Sequence, residues 1–186
     1  MSAGASESER TIFEGDDFTA REFRRAVWSQ TATTVALITS AADGREDVMA
    51  CEWAMMISAS PLRFAIAVWP GHATHELIER SGEFGLSLCS DEQARLSHVS
   101  GSYSLHQVNK WELADFETYP ACRIGAPMIA GCALNVECRV VATLPSDAAH
   151  TLFIGEALWA RYDPEKRPLI YHGGKYWYLG PQVPKD

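Results

Sequence analysis

Residues 47–61 read D-V-M-A-C-E-W-A-M-M-I-S-A-S-P, and the segments on either side of them indicate how the chain folds. Before them, Thr33–Ser40 is rich in Thr and Val, and Asp43-Gly44 supplies a tight turn. Glu46–Trp53 can therefore return as the second strand of a hairpin. After them, Arg63–Trp69 predicts a third strand. The quoted stretch thus begins in one predicted strand and leads into the next.

The other predicted elements are mostly strands with a few short helices. A T-x-x-E capping box at Thr19 and Glu22 opens a helix that ends near Trp28. The remaining elements are a short helix with Thr74 as its N-cap, a strand over Phe84–Cys89, helices over Asp91–His98 and Gln107–Leu113, and strands over Cys132–Leu144, Thr151–Tyr162 and Leu169–Tyr178, the last bent at Gly173-Gly174. Six or seven strands without regular βαβ alternation, and without a G-x-G-x-x-G motif, favour a mainly β, antiparallel barrel over a Rossmann sheet.

Length and charge limit the class of protein. A chain of 186 residues that is 47% hydrophobic suits one domain, which we place at residues 17–186 after a flexible N-terminal segment at residues 1–16. The net charge of −8 argues against a nucleic-acid partner. No apolar run reaches the length of a membrane helix, and the N-terminus is polar and acidic, so we expect a cytoplasmic protein.

The cysteines predict no disulfide framework and no metal site. They are five in number and show no C-x-x-C pair: Cys51, Cys89, Cys122, Cys132 and Cys138. Cys132 and Cys138 share a period of two with Val136 and alternate with Asn135 and Glu137, which is typical of a half-buried strand. We therefore interpret most of the thiols as core residues.

Four further motifs complete a pattern with residues 47–61. They are G-H-A-T-H-E-L-I at 71–78, S-G-S-Y-S-L-H-Q-V-N-K-W-E at 100–112, T-L-F-I-G-E-A-L directly after His150, and P-L-I-Y-H-G-G-K-Y-W at 168–177. In this order the chain resembles the flavin reductase-like, FMN-binding split-barrel family from about Phe23 to Gly180. That family includes flavoredoxin and the reductase components of two-component monooxygenases. The resemblance implies a Greek-key antiparallel split barrel, a homodimer, and FMN (or FAD) bound between two barrels.

The resemblance also assigns roles to residues. It implies that Thr74 holds the flavin phosphate, that Lys110 lies near the phosphate or the ribityl chain, and that His150, the candidate catalytic residue, lies near the nicotinamide or the flavin ring. It also implies that Tyr171 walls the ring, a role for which Tyr176 and Trp177 compete. It places the remaining candidates along the isoalloxazine edge: Asp47, Met49, Ala50, Cys51, Trp53 and Ser58. From the residues alone, Thr74 can equally be an ordinary N-cap, Lys110 a solvated lysine, Trp53 a core residue and His150 a structural histidine.

The chain departs from the family pattern at several positions. Asp47 stands where the family favours asparagine, and an ionised aspartate only accepts hydrogen bonds. If it faces the flavin it should disfavour the anionic reduced ring, and if it caps a strand it has no such effect. Leu105 replaces a common glycine, Asn109 replaces a common aspartate, and Ala148-Ala149 replaces Gly-Asp before His150.

The resemblance implies hydride transfer from NADH or NADPH to flavin, with reduced flavin or electrons passed to a monooxygenase or electron-transfer partner. One alternative is an FMN electron carrier of the flavoredoxin type with little NAD(P)H activity. Another is a non-flavin module, for example a haem protein with His72, His75 or His150 as axial ligand. We expect Lys110→Ala and Thr74→Ala each to weaken FMN binding without unfolding the protein.

Overall fold

The computed structural model describes residues 21–145 and 150–185. Within these residues it contains three α-helices, α1 (Arg21–Gln30), α2 (Ala73–Ser81) and α3 (Ala94–Ser102), and a 3₁₀ turn at Lys110–Glu112. The strands in the same residues are β1 (Ala32–Thr34), β2 (Ala36–Ala42), β3 (Arg45–Cys51), β4 (Ala54–Ala59), β5 (Leu62–Val68), β6 (Glu83–Leu88), β7 (Thr118–Tyr119), β8 (Met128–Ile129), β9 (Leu134–Leu144), β10 (Thr151–Tyr162), β11 (Ile170–His172) and β12 (Lys175–Trp177). No helix among the described residues is long and apolar enough to cross a membrane.

Seven strands form one antiparallel sheet in the order β3-β2-β6-β9-β10-β5-β4. The sheet curls until its two ends approach each other. The Ala67 backbone N–H donates to the Trp53 carbonyl at 3.0 Å, and Cys51 Sγ lies 3.7 Å from the Ala67 carbonyl oxygen. This confirms the predicted mainly β, antiparallel split barrel.

The core lies on both faces of the curled sheet. Inside the barrel, Ile38, Ile66, Phe84 and Phe153 are fully buried. On the other face a second cluster contains Leu37, Val48 and Ile129, packed against partly buried side chains that include Tyr171 and Tyr176. Strands β2 and β3 are covered on both faces, which holds β3 rigidly in place.

The predicted hairpin is confirmed in register. Strands β2 and β3 pair from Ala36 opposite Cys51 to Ala42 opposite Arg45. Asp43 and Gly44 both have positive φ, 52° and 72°, as a two-residue turn between right-handed twisted strands requires. The turn therefore fixes which residues of β3 point to which side.

Several local predictions were wrong. The N-cap of α2 is His72, and Thr74 lies inside the first turn. The predicted helix over Asp91–His98 begins only at Ala94, because the Gln93 side chain turns back to accept the Ser90 N–H. The predicted helix over Gln107–Leu113 is reduced to the short 3₁₀ turn, where the Asn109 side chain accepts the Trp111 N–H.

Two strand predictions also need correction. The predicted bent strand over Leu169–Tyr178 is the β11–β12 hairpin, because Gly173 and Gly174 take positive φ values of 58° and 78° and reverse the chain. Strand β4 was not predicted, since A-M-M-I-S-A does not alternate in polarity. Thr19 of the predicted capping box, the flexible segment at residues 1–16 and Ala148-Ala149 lie outside the described residues.

The alternation expected in β9 is only half right. Cys132 and Cys138 are buried, but so are the intervening Asn135 and Glu137. The Glu137 carboxylate accepts backbone N–H groups of residues 122 and 123, so the loop that follows β7 covers this face of the strand. A buried carboxylate is tolerated inside a protein when N–H groups donate hydrogen bonds to it in this way.

Candidate functional site

Three adjoining cavities follow β3, and we call them together the β3 groove. The first cavity has a volume of about 220 Å³, the second about 140 Å³ and the third about 40 Å³. Ala50 lines all three. Glu52 joins the first to the second, and Gly101 joins the first to the third. Since β3 is the terminal strand of the sheet, one edge of its backbone has no neighbouring strand among the described residues.

The third cavity is the polar end of the groove. Asp47, Thr74 and Lys110 meet there, and all three are almost fully buried. Thr74 Oγ1 donates to Asp47 Oδ2 at 2.6 Å, and Lys110 Nζ lies 2.7 Å from Asp47 Oδ1. Thr74 sits in the first turn of α2, where the helix dipole is positive. An ammonium and the hydroxyl of a residue in the first turn of α2 therefore converge on one carboxylate.

The first cavity forms an aromatic end of the groove. Tyr171 and Tyr176 line it with their ring centroids 5.3 Å apart, and the Tyr176 hydroxyl lies 3.0 Å from Ser97 Oγ. Burial raises the pKa of both phenols, so both stay protonated at neutral pH. The cavity thus offers two aromatic rings with neutral hydroxyl groups, beside the polar side chains of Glu52, Ser97 and Ser102.

The second cavity opens toward solvent between two tryptophans. Trp53 and His150 meet edge to face at a centroid distance of 4.7 Å, and Trp69 and His72 do the same at 5.5 Å. Burial lowers the pKa of His150 and, together with the Lys110 charge, that of His72. Both imidazoles are therefore neutral at pH 7.

Glu52 is a groove residue that the sequence reasoning missed. Both of its carboxylate oxygens accept from Trp28 Nε1, at 3.0 and 3.1 Å, which fixes the side chain between the first and second cavities. Glu52 lies within residues 47–61, the stretch that carries the resemblance. From the sequence alone, however, it could not be distinguished from a solvated carboxylate. Gly101 likewise lies in a motif without having been assigned a role, whereas Tyr176 was considered only as a competitor of Tyr171 for the ring wall.

The structure brings most of the sequence candidates together. Those that line the groove are Asp47, Met49, Ala50, Cys51, Trp53, Thr74, Lys110, His150 and Tyr171. Ser58 lines none of the three cavities, because β4 carries it away to pair opposite Arg63. Of the three cavities, Asp47 lines only the third, at the polar end of the groove.

The three histidines that could have served as axial ligands each contact a neighbouring side chain. The His75 ring uses Nε2 toward Thr151 Oγ1 at 2.8 Å, and its Nδ1 lies 3.4 Å from Glu79. His72 and His150 are each held edge to face against a tryptophan. Within the described ranges, no group of three His, Cys, Asp or Glu side chains could hold a metal ion.

A flavin mononucleotide fits the groove by chemistry. It is a flat aromatic ring system with a polar chain that ends in a phosphate, and the groove has aromatic walls at one end and buried cationic and hydroxyl donors at the other. Ala50 and Gly101 keep the passage open, because a Cβ on Gly101 would lie 3.4 Å from the Ala50 Cβ.

Comparison with known proteins agrees with this arrangement. Residues 28–180 match the family model described as flavin reductase like domain. An uncharacterized protein of Archaeoglobus fulgidus is 32% identical over 61% of this chain and 64% of its own length, and one of Pyrococcus abyssi is 30% identical over 75% and 77%. The chain therefore spans just under two thirds of the Archaeoglobus protein.

Relatives with named activities are more distant. The ferric-chelate reductase (NAD(P)H) of Archaeoglobus fulgidus is 26% identical over 73% of this chain and 79% of its own length, and the HsaB reductase subunit of a Rhodococcus jostii flavin-dependent monooxygenase is 25% identical over 84% and 77%. Among solved structures, the Streptomyces globisporus NADH:FAD oxidoreductase SgcE6 superposes with a TM-score of 0.83 at 21% identity, covering 94% of this chain and all of that one. The flavin reductase PheA2 superposes at 0.74 with 27% identity, covering 87% and 98%.

Proposed function

The chain belongs to the flavin reductase like domain family, and on that premise we propose that it is an NAD(P)H:flavin oxidoreductase that takes FMN, with FAD as a second possible flavin. The observation that carries the proposal is the β3 groove, which combines an aromatic end with a buried polar end formed by Asp47, Thr74 and Lys110. The flavin when bound supplies the hydride-accepting ring. The protein then has to bind, orient and shield that ring.

Each end of the groove has a distinct task in this proposal. Lys110 Nζ, Thr74 Oγ1 and the first turn of α2 supply the donors for the phosphate. Tyr171 and Tyr176 wall the ring and keep water from one face of it. His150 and Trp53 border the solvent-facing mouth, where a nicotinamide can approach the ring. Since the cofactor carries the hydride, no acid–base residue is needed for the transfer itself.

The test is spectroscopic. Purified protein is incubated with FMN, and binding is followed by the change in flavin fluorescence. The loaded protein is then mixed anaerobically with NADH or NADPH while the absorbance of oxidised flavin is recorded. Binding followed by bleaching supports the reductase, whereas binding without bleaching by either nucleotide would support the electron-carrier alternative. No binding of any flavin would contradict both.

We also propose that two copies of the chain associate through β4. This strand ends the sheet and carries exposed Met55, Met56 and Ile57, next to the half-exposed Trp53 at the groove mouth. An exposed apolar edge strand invites pairing with another chain unless something covers it. A second copy would bury these side chains and complete the wall of the second cavity.

The dimer is tested by sedimentation of the wild type and of Met56→Glu. A dimeric wild type and a monomeric variant are expected, because the glutamate would be buried unpaired in the interface. A matched control is Val141→Glu, a similarly exposed apolar position on β9. Equal masses for wild type and Met56→Glu would refute the β4 interface.

The proposed acceptor of reduced flavin is a partner monooxygenase. HsaB, a relative that matches 84% of this chain, is the reductase subunit of such an enzyme. Delivery of this kind requires that the flavin leave the groove.

A further inference from the structure

We propose that Asp47 acts as an internal competitor for the flavin phosphate, so that this chain holds phosphorylated flavin weakly and exchanges it as a substrate. This inference rests on the proposed flavin-binding function of the β3 groove. It concerns one residue of the polar end and the affinity that this residue sets.

The competition follows from the contacts of the carboxylate. Lys110 Nζ lies 2.7 Å from one Asp47 oxygen, and the Thr74 hydroxyl donates to the other at 2.6 Å. A hydroxyl has a single proton to donate, so Thr74 cannot serve Asp47 and a phosphate at the same time. The ammonium has three protons and can be shared, but its charge is already matched by the carboxylate.

The charge balance at the polar end also opposes a phosphate. A phosphate monoester carries a charge between about −1.5 and −2 near neutral pH. Without the carboxylate, Lys110 would face it as a buried free cation, but with Asp47 in place the pair has no net charge. Two buried anions that share one lysine repel each other strongly, because the low local dielectric screens them little.

No other cation at the third cavity offsets the carboxylate. Among the described residues that line this cavity, His72 is the only further group that could become positive. Burial and the Lys110 charge lower its pKa, so it is neutral at pH 7. The N-terminal amides of α2 remain as donors, but they carry only a partial charge.

The effect is confined to the phosphate. Asp47 lines the third cavity but neither the first nor the second, so ring binding does not depend on it. Riboflavin, which has the same ring and no phosphate, is therefore an internal control. A flavin that gains little from its phosphate leaves the groove easily, which suits a protein that supplies reduced flavin to a partner.

The experiment compares FMN with riboflavin by equilibrium fluorescence titration of the full chain. Three proteins are used: the wild type, Asp47→Asn and Glu46→Gln. The asparagine keeps the shape and an acceptor oxygen but removes the charge. The glutamine removes the same charge from the neighbouring exposed residue of β3, which lines none of the three cavities. It therefore controls for net charge alone.

We expect the wild type to bind FMN and riboflavin within about threefold of each other, and Asp47→Asn to bind FMN at least about tenfold more tightly with riboflavin unchanged. Glu46→Gln should match the wild type. The inference is overturned if Asp47→Asn leaves FMN affinity unchanged or weakens it, or if riboflavin gains equally. The ratio of FMN to riboflavin affinity in the wild type can be measured even if a variant fails to fold. Wild-type binding of FMN more than 100-fold tighter than that of riboflavin would also overturn the inference. Absence of binding of either flavin to every protein would instead contradict the proposed function.

Discussion

Replacing Lys110 by methionine tests the central contact of the site through protein stability. The change removes the ammonium and keeps most of the length of the side chain. The Lys110 and Asp47 side chains are 3% and 2% exposed, and their charged atoms are 2.7 Å apart. The variant therefore leaves a buried carboxylate without its cation, a defect that typically costs about 3–5 kcal/mol. For a domain of this size, such a loss lowers the melting temperature by roughly 6–20 °C.

The assay is urea unfolding at pH 7, followed by tryptophan fluorescence, on the wild type, Lys110→Met, and Asp47→Asn with Lys110→Met. The double variant should recover more than half of the loss, because it removes the orphaned charge together with its partner. Lys166→Met is the control, since Lys166 pairs with Glu92 at the surface and its loss should change stability little. A single variant within about 1 kcal/mol of the wild type, or a double variant no better than the single one, would refute the reasoning.

This burial also revises an expectation from the sequence. Lys110→Ala was expected to weaken FMN binding without unfolding the protein. Since the lysine is half of a buried ion pair, its removal is expected to affect folding as well as binding. Thr74→Ala removes only a hydroxyl group that already donates to Asp47, so it should change FMN affinity little while Asp47 is present.

Three further outcomes are expected. Gly101→Val places a branched side chain at the wall between the first and third cavities. It should weaken FMN binding about tenfold or more while the circular dichroism spectrum stays unchanged. Unchanged FMN affinity would exclude the proposed path of the ligand. Iodoacetamide at pH 7 should modify only Cys122 in the folded protein, since the other four thiols are buried. Detection of a second adduct by mass spectrometry would contradict this. Because the pKa of His72 is lowered in the folded protein, the unfolded chain takes up a proton first as the pH falls. The free energy of unfolding should therefore decrease below about pH 6.5, and it should decrease less steeply in His72→Gln. The same pH dependence of urea unfolding in the wild type and in His72→Gln across pH 5–8 would count against this.

The fold was largely predictable because its signals are local. The Asp43-Gly44 turn sets the β2–β3 register, and the span Thr151–Tyr162 coincides with the predicted strand. Strand β4 was missed because A-M-M-I-S-A has no alternation of polar and apolar residues. The buried face of β9 was missed because Glu137 is covered by a loop, and loop packing leaves no periodic pattern in the sequence.

The site was predictable in its members but not in its contacts. Thr74 and Lys110 were chosen from motifs, and the groove does contain both. That each binds Asp47 could not be read from the chain, because Asp47 and Thr74 are 27 residues apart and meet only through the packing of α2 against β3. Glu52 shows the same limit, since only the Trp28 contact distinguishes it from a surface carboxylate.

Burial of Cys51 affects how readily this thiol is oxidised. Reduced flavin reacts with oxygen to form peroxide, and peroxide attacks the thiolate form of cysteine. Cys51 lines the second cavity, but burial raises its pKa to about 12, so at pH 7 the thiol stays protonated. A sulfur atom beside the proposed site of turnover is thus kept in its less reactive thiol form.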